Sequence, residues 1–233
     1  MNKEQFIEEL TKIGIMVDNE ILNKLDIYYT LLVEENKKYN LTNITTESDV
    51  YLKHFYDSLT IIKSINLNDQ SICDIGSGAG FPGMVLKIFY PNLKVTLIDA
   101  TKKKCQFLEM VINKLSLKEI NVINIRAEEY SHKVREKYDI VTSRAVAPIK
   151  HLLEYSIPLL KINGYFIALK SNITEETKNI DNYYKKLFLV EEEIKKFTLP
   201  YEGSKRTIYK VKKTNITPKI YPRQYGQIKK KEI

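Results

Sequence analysis

The sequence predicts an α/β fold: a parallel sheet with helices on both faces, an N-terminal helical extension, and a closing antiparallel hairpin. Three observations carry this. Up to residue 67 apolar side chains recur at helical spacing. From residue 68 short β-rich runs alternate with helical stretches, the pattern of strands joined by crossover helices. At the end, Phe188–Phe197 and Arg206–Lys213 read as two strands with only Leu-Pro-Tyr-Glu-Gly-Ser between them.

Taken in order, Phe6, Leu10 and Ile13 repeat at helical spacing. A second helix follows a cap at Asp18, with Ile21, Leu22, Leu25, Tyr28, Leu31 and Leu32 on its apolar face. Lys37–Ile44 is a polar, basic connection. Thr46-Glu-Ser-Asp49 has the capping-box pattern and opens a third helix, with Val50, Phe55, Leu59 and Ile62 facing inward. Residues 1–67 are therefore an N-terminal helical extension, and residues 68–233 an α/β domain with a basic tail. Within that domain the expected strands are Ser71–Ile75, Lys94–Asp99, Ile120–Ile125, Tyr138–Ser143 and Tyr165–Lys170. The intervening helices are expected near Gly83–Tyr90, Lys102–Ser116, Ile149–Leu160 and Glu175–Lys186.

Composition narrows the functional classes. No apolar run approaches the ~20 residues that span a bilayer. The first ten residues lack the apolar stretch of a signal peptide, so a cytoplasmic protein is expected. Cys73 and Cys105 sit in apolar stretches without metal-ligand spacing and read as reduced, structural thiols; no metal is expected. The net charge of +8 is unevenly placed: residues 205–233 carry +9, leaving −1 for the rest. A nearly neutral body with a basic end points to an anionic partner docking at one place.

The strongest chemical signal is Cys73-Asp-Ile-Gly-Ser-Gly-Ala-Gly-Phe-Pro-Gly83. A strand ends at Asp74-Ile75, a glycine-rich turn follows, and Pro82 suits the first turn of a helix. Such a turn lets a ligand touch the backbone, and open amides at the helix start favour an anionic group. Gly78–Gly83 also fits the dinucleotide fingerprint GxGxxG. Two details favour S-adenosylmethionine: the compact glycines at 76, 78 and 80, and Asp74, placed to receive an ammonium group. Asp99, at the tip of the next strand, can accept from both ribose hydroxyls of either ligand. After the third strand, Ala127 gives backbone access for an adenine edge and Glu128 a polar neighbour. Arg144 ends the fourth strand, where its fork of donors can clamp a phosphate, a base edge or a carboxylate.

Some chemistry is excluded. There is no Asn/Asp-Pro-Pro-aromatic tetrapeptide for exocyclic amines, and no cysteine nucleophile stands at the fourth strand's end. His54, Asp57 and Ser58 share one helical turn and cannot form an aligned hydrolase relay. Tyr225-Gly-Gln-Ile-Lys229 fits a dehydrogenase pattern but is expected in a basic tail, away from any helix flanking the sheet. From these residues alone, a methyltransferase for a small molecule or protein and an NAD-linked oxidoreductase remain alternatives.

With these motifs in place, the chain resembles the RsmG family, also called GidB, of bacterial 16S ribosomal RNA guanine-7 methyltransferases. The resemblance covers nearly the whole chain. It rests on Lys38–Ile44, Tyr51–Leu59, Asp74–Gly83, Ser143–Ala145, Ala168–Lys170, and the tail Tyr221-Pro-Arg223 with Gly226, Lys229 and Lys230. Ser171 stands where glycine is expected. The resemblance implies a Rossmann-like class I methyltransferase sheet. It also implies an S-adenosylmethionine site at Gly76, Phe81, Ala127, Glu128 and Arg144, to which the glycine turn adds Gly78 and the strand-tip chemistry adds Asp99. The partner would be 16S ribosomal RNA or a small-subunit precursor, met by Arg223, Lys229 and Lys230, with the protein acting as a monomer. A guanine ring nitrogen at position 7 carries no proton, so no catalytic base is expected.

Overall fold

The structure is a computed structural model that describes residues 1–233. Seven strands form one sheet: β1 (Ser71–Ile75), β2 (Lys94–Asp99), β3 (Ile120–Asn124), β4 (Tyr138–Arg144), β5 (Leu160–Lys170), β6 (Leu189–Thr198) and β7 (Lys205–Lys213). Their spatial order is β3-β2-β1-β4-β5-β7-β6. The first five run parallel, and β7 pairs antiparallel with both β5 and β6. This is the expected closing hairpin. The strand order reverses between β1 and β4, and in open α/β sheets the crevice at such a switch point takes the ligand.

The central strands β1, β2 and β4 are buried along nearly their whole length because helices cover both faces of the sheet there. One face and the N-terminal helices share a single core. Phe6 and Leu10 of the helix Lys3–Lys12, and Leu25, Tyr28 and Leu32 of the helix Asn19–Tyr39, pack in one cluster with Ile72, Val85, Leu97 and Leu108. Asn2 and Gln5 form a reciprocal capping box for the first helix, and the Asp18 carboxylate accepts from the Ile21 amide at 2.7 Å for the second.

Five local expectations change. The Thr46 hydroxyl turns to the Asp49 carboxylate, 3.0 Å away, and caps no backbone amide. The helix it precedes is composite, with Val50–Tyr56 in wide π-type turns. It therefore buries residues around most of its surface, Tyr51, Leu52 and Tyr56 as well as Val50, Phe55 and Leu59. The helix expected at Glu175–Lys186 is only Asp181–Leu187. Half of the basic tail is not a tail: Lys205, Arg206, Lys210, Lys212 and Lys213 lie in β7, and the Lys213 ammonium is buried, donating to the Ile157 and Leu160 carbonyls. Finally, Tyr225–Lys230 is a short helix whose Ile228 is buried beneath the main domain.

Candidate cofactor and substrate site

Two hollows open at the carboxyl ends of β1, β2 and β4. They share Gly76, Asp99, Val146 and Ala147 as lining. The smaller, about 240 Å³, is mostly apolar and includes Ile75, Ile98, Ala127, Glu128, Tyr155 and Tyr225. The larger, about 860 Å³, is polar and lies between the glycine loop, the end of β4 and the composite helix. All seven residues assigned to the cofactor from sequence line one or both: Gly76 and Asp99 line both, Ala127 and Glu128 the smaller, and Gly78, Phe81 and Arg144 the larger.

The loop between β1 and the helix Gly83–Phe89 is held by its own backbone. Gly76, Gly78 and Gly80 have positive φ of 66°, 59° and 102°. At Gly80 the need for glycine is also steric: a Cβ would collide with the Tyr28 hydroxyl and lie 2.9 Å from the Met84 Cβ. Tyr28 donates its hydroxyl proton to the Ala79 carbonyl, so the second N-terminal helix presses directly on the loop. The Asp99 carboxylate accepts from the Gly78 amide at 3.0 Å and the Thr101 amide at 2.8 Å. It is thereby fixed at the tip of β2, between the two hollows.

Asp74 does something different from what was expected. Its side chain is fully buried and lines neither hollow. Oδ2 accepts from the Gly83 amide at 2.9 Å, bracing the helix start, and Oδ1 has no partner. Burial pushes its carboxyl up to about 7.

Arg144 is clamped against the composite helix. Nη1 donates to the Lys53 carbonyl at 2.7 Å and to Asp57 at 3.3 Å; Nη2 donates to His54 Nδ1 at 2.9 Å. Because a guanidinium can only donate, His54 Nδ1 accepts, and the ring proton sits on Nε2, which donates to the Thr42 hydroxyl at 2.9 Å. Burial, with Arg144 alongside, lowers the imidazole to about 3, so it stays neutral. The ring stacks on Phe81 with centroids 4.2 Å apart, and Tyr28 stacks on the same ring at 5.5 Å. Arg206 donates to Asp57 at 3.0 Å, so one buried carboxylate pairs with two guanidiniums and the group keeps a net positive charge.

Sequence reasoning did not single out Arg206, Tyr155 or Tyr28 for the site. Arg206 reads in the sequence as part of the basic end and as the first residue of the strand Arg206–Lys213; the pairing of that strand with β5 is what brings it to the cleft. Five cations line the larger cleft (Lys53, Lys104, Arg144, Lys170 and Arg206) against the carboxylates of Asp57, Asp99 and Glu176. The cleft is therefore net positive, as an anionic substrate requires.

Of the three residues expected to meet RNA, Lys229 and Lys230 are exposed. Arg223 is not free. Its amide and Nε each donate to Glu154 Oε1 at 2.8 Å, and Nη2 donates to Oε2 at 2.7 Å. Glu154 is fully buried, so the guanidinium fork is spent on anchoring the tail.

The family model for "rRNA small subunit methyltransferase G" matches residues 21–208. The chain belongs to this family. The relative from Mycoplasma capricolum, named Ribosomal RNA small subunit methyltransferase G, is 45% identical over 92% of each chain. The protein of the same name from Bacillus subtilis is 43% identical over 100% of this chain and 99% of its own. Among solved structures, a SAM-dependent methyltransferase from Aquifex aeolicus superposes with a TM-score of 0.55 at 14% identity, over 74% of this chain and 96% of that one. M. jannaschii TYW2 in complex with AdoMet gives 0.54 at 13% identity, over 67% and 74%. The fold is that of a Rossmann-like class I methyltransferase, and the chain belongs to a family of ribosomal RNA small subunit methyltransferases.

Proposed function

We propose that the protein transfers a methyl group from S-adenosylmethionine to the ring nitrogen at position 7 of a guanine in 16S ribosomal RNA. The observation that carries this is the pair of hollows sharing one wall at the β1/β4 switch point, one small and apolar, one large and net positive.

The residues present suit the cofactor. The apolar walls at Ile98, Ala127 and Tyr155 fit an adenine ring, and the Asp99 carboxylate suits ribose hydroxyls. The positive-φ loop at Gly76 and Gly78 leaves its backbone open toward the larger cleft, where the amino-acid end would lie. Bound there, S-adenosylmethionine supplies an electrophilic methyl on a sulfonium centre. The protein's work is then to position the acceptor and supply a preorganised field. A guanine N7 has a free lone pair, so no side chain needs to remove a proton. The site agrees: both nitrogens of neutral His54 are committed, to Arg144 and Thr42. Phe81, held between protein rings and the Arg144 guanidinium, offers a rigid apolar surface at the cleft floor.

Residues 1–67 serve as the extension that builds one side of the substrate cleft, and Lys229 and Lys230 as phosphate contacts on the rim. No helix is long and apolar enough to cross a membrane; the protein acts in the cytoplasm, as a monomer, on 16S RNA or a small-subunit precursor. The test is incubation with labelled S-adenosylmethionine and small-subunit RNA or particles, followed by nucleoside analysis. Label in 7-methylguanosine is expected; label in another nucleoside would overturn the assignment of the acceptor atom.

A further inference from the structure

We propose that Tyr225 forms the outer wall of the cofactor pocket and stacks on the adenine ring, so that the C-terminal helix carrying Lys229 and Lys230 also closes the cofactor site. The inference deepens, and rests on, the reading of the smaller hollow as the adenosine site.

The first support is position. Tyr225 lines the smaller hollow together with Ala127, Glu128 and Asp99, and it is absent from the larger cleft. Tyr155, Ile98 and Ile75 make the inner walls and are buried, whereas Tyr225 is 38% exposed. A half-exposed aromatic ring at the mouth of an otherwise apolar hollow offers what a purine face packs against.

The second support is that the ring is held there by independent anchors. Two residues upstream, Arg223 is locked on fully buried Glu154 through three donors. Three residues downstream, Ile228 is buried in the apolar cluster of the helix Ile149–Ser156. The Arg126 guanidinium lies 4.3 Å from the Tyr225 ring centroid and also pairs with Glu128. A chain from the tail, through Tyr225 and Arg126, thus reaches a residue that faces the same hollow. The Lys229 ammonium lies 4.9 Å from the same ring, one turn along the helix.

The chain contains no tryptophan, so Tyr225→Trp introduces a single indole reporter. Titration of this variant with S-adenosylhomocysteine should quench or shift its emission saturably, at the affinity measured by calorimetry. Adenosine should reproduce the change and methionine should not. Tyr225→Ala should bind S-adenosylhomocysteine roughly ten- to a hundredfold more weakly, the range of one lost aromatic stack, and Tyr225→Phe should restore affinity. Asp99→Ala serves as the control for the underlying reading. If Asp99→Ala weakens binding while Tyr225→Ala and the indole signal do not respond, the proposal fails and the pocket assignment stands. If neither substitution changes affinity, the pocket assignment itself fails. If Tyr225→Ala lowers RNA affinity alone, the ring is a platform for RNA bases and the proposal is overturned.

Discussion

The two ends of the chain reach one site by different physics. The N-terminal helices enter through the core: Phe6, Leu10, Leu25, Tyr28 and Leu32 have no solvent exposure, each contributing about 1.5–3 kcal/mol on burial. The C-terminal segment is tethered instead by polar anchors. Arg135 donates to the Thr217 and Tyr221 carbonyls at 2.8 Å, Arg223 grips Glu154, and Tyr221 and Ile228 join the apolar cluster with Ile233 packed against it. The difference teaches that the N-terminal side of the site is inseparable from folding, while the C-terminal side rests on a few replaceable contacts. It also separates the residues that must be tested by stability from those that can be tested by binding.

The largest effect is expected where the N-terminal side meets the loop. Gly80→Val forces a branched residue into φ 102° and drives its Cβ into the Tyr28 hydroxyl. Strain and overpacking together should cost up to about 6 kcal/mol, read as a collapsed denaturant midpoint. A folded variant of near-normal stability would show that the loop and helix are not tightly joined. On the C-terminal side, Arg223→Ala leaves a buried carboxylate unpaired, and a stability loss of about 3–5 kcal/mol is expected, with Arg223→Lys only partly restoring it. If chemical denaturation shows no change, the tail is not anchored as described. Next, Asp99→Ala should weaken S-adenosylhomocysteine binding by about 1.5–3 kcal/mol, measured by calorimetry on the folded variant.

The pH dependence sharpens the comparison further, because the N-terminal side carries His54 and β1, beneath the loop, carries Asp74. His54 has a folded value of about 3 against 6.5, so acidification below 6.5 protonates the unfolded state first and stability is lost. Asp74 has a folded value of about 7 against 3.8, so its contribution is present at acid pH and is lost as pH rises through about 7. From about pH 7 to about pH 5 each contributes roughly 2 kcal/mol, with opposite signs. His54→Gln should therefore gain stability on acidification and Asp74→Asn should lose it, relative to a flatter parent; parallel profiles for all three would refute the pairing. The smallest effect is on the exposed lysines. Replacing Lys229 and Lys230 with alanine should leave stability and cofactor affinity unchanged and reduce the salt slope of RNA binding by roughly 0.7–0.9 per lost phosphate contact. An unaltered slope would move RNA docking to Lys53 and its neighbours.

Much of this was legible because periodicity and strand tips are local. Ser71–Ile75, Lys94–Asp99 and the closing hairpin could be read from alternation alone, and Asp99 and Arg144 follow from where strands end. The residues from Gly76 to Arg144 that the sequence assigns to the cofactor line two adjoining hollows because a doubly wound sheet delivers its strand ends to one edge. What remained hidden depends on pairs distant in sequence. Arg223 reads as a free cation until Glu154, 69 residues away, is seen beneath it. Asp74 reads as a ligand contact until its burial under the loop is known. The segment Tyr225–Lys229 was set aside as tail because a six-residue helix without a long apolar stripe has no periodic signature, yet Ile228 pins it beside the pocket. The π-type turns of Val50–Tyr56 likewise break the spacing from which an apolar face is inferred.

The most direct test of the two-hollow site is a crystal structure with S-adenosylhomocysteine bound. The adenine should lie in the smaller hollow beside Ala127 and Glu128, the ribose at the Asp99 carboxylate, and the amino-acid end along Gly76 and Gly78 toward the larger cleft. An adenine seated in the larger cleft, or a ligand that leaves Asp99 uncontacted, would contradict the account.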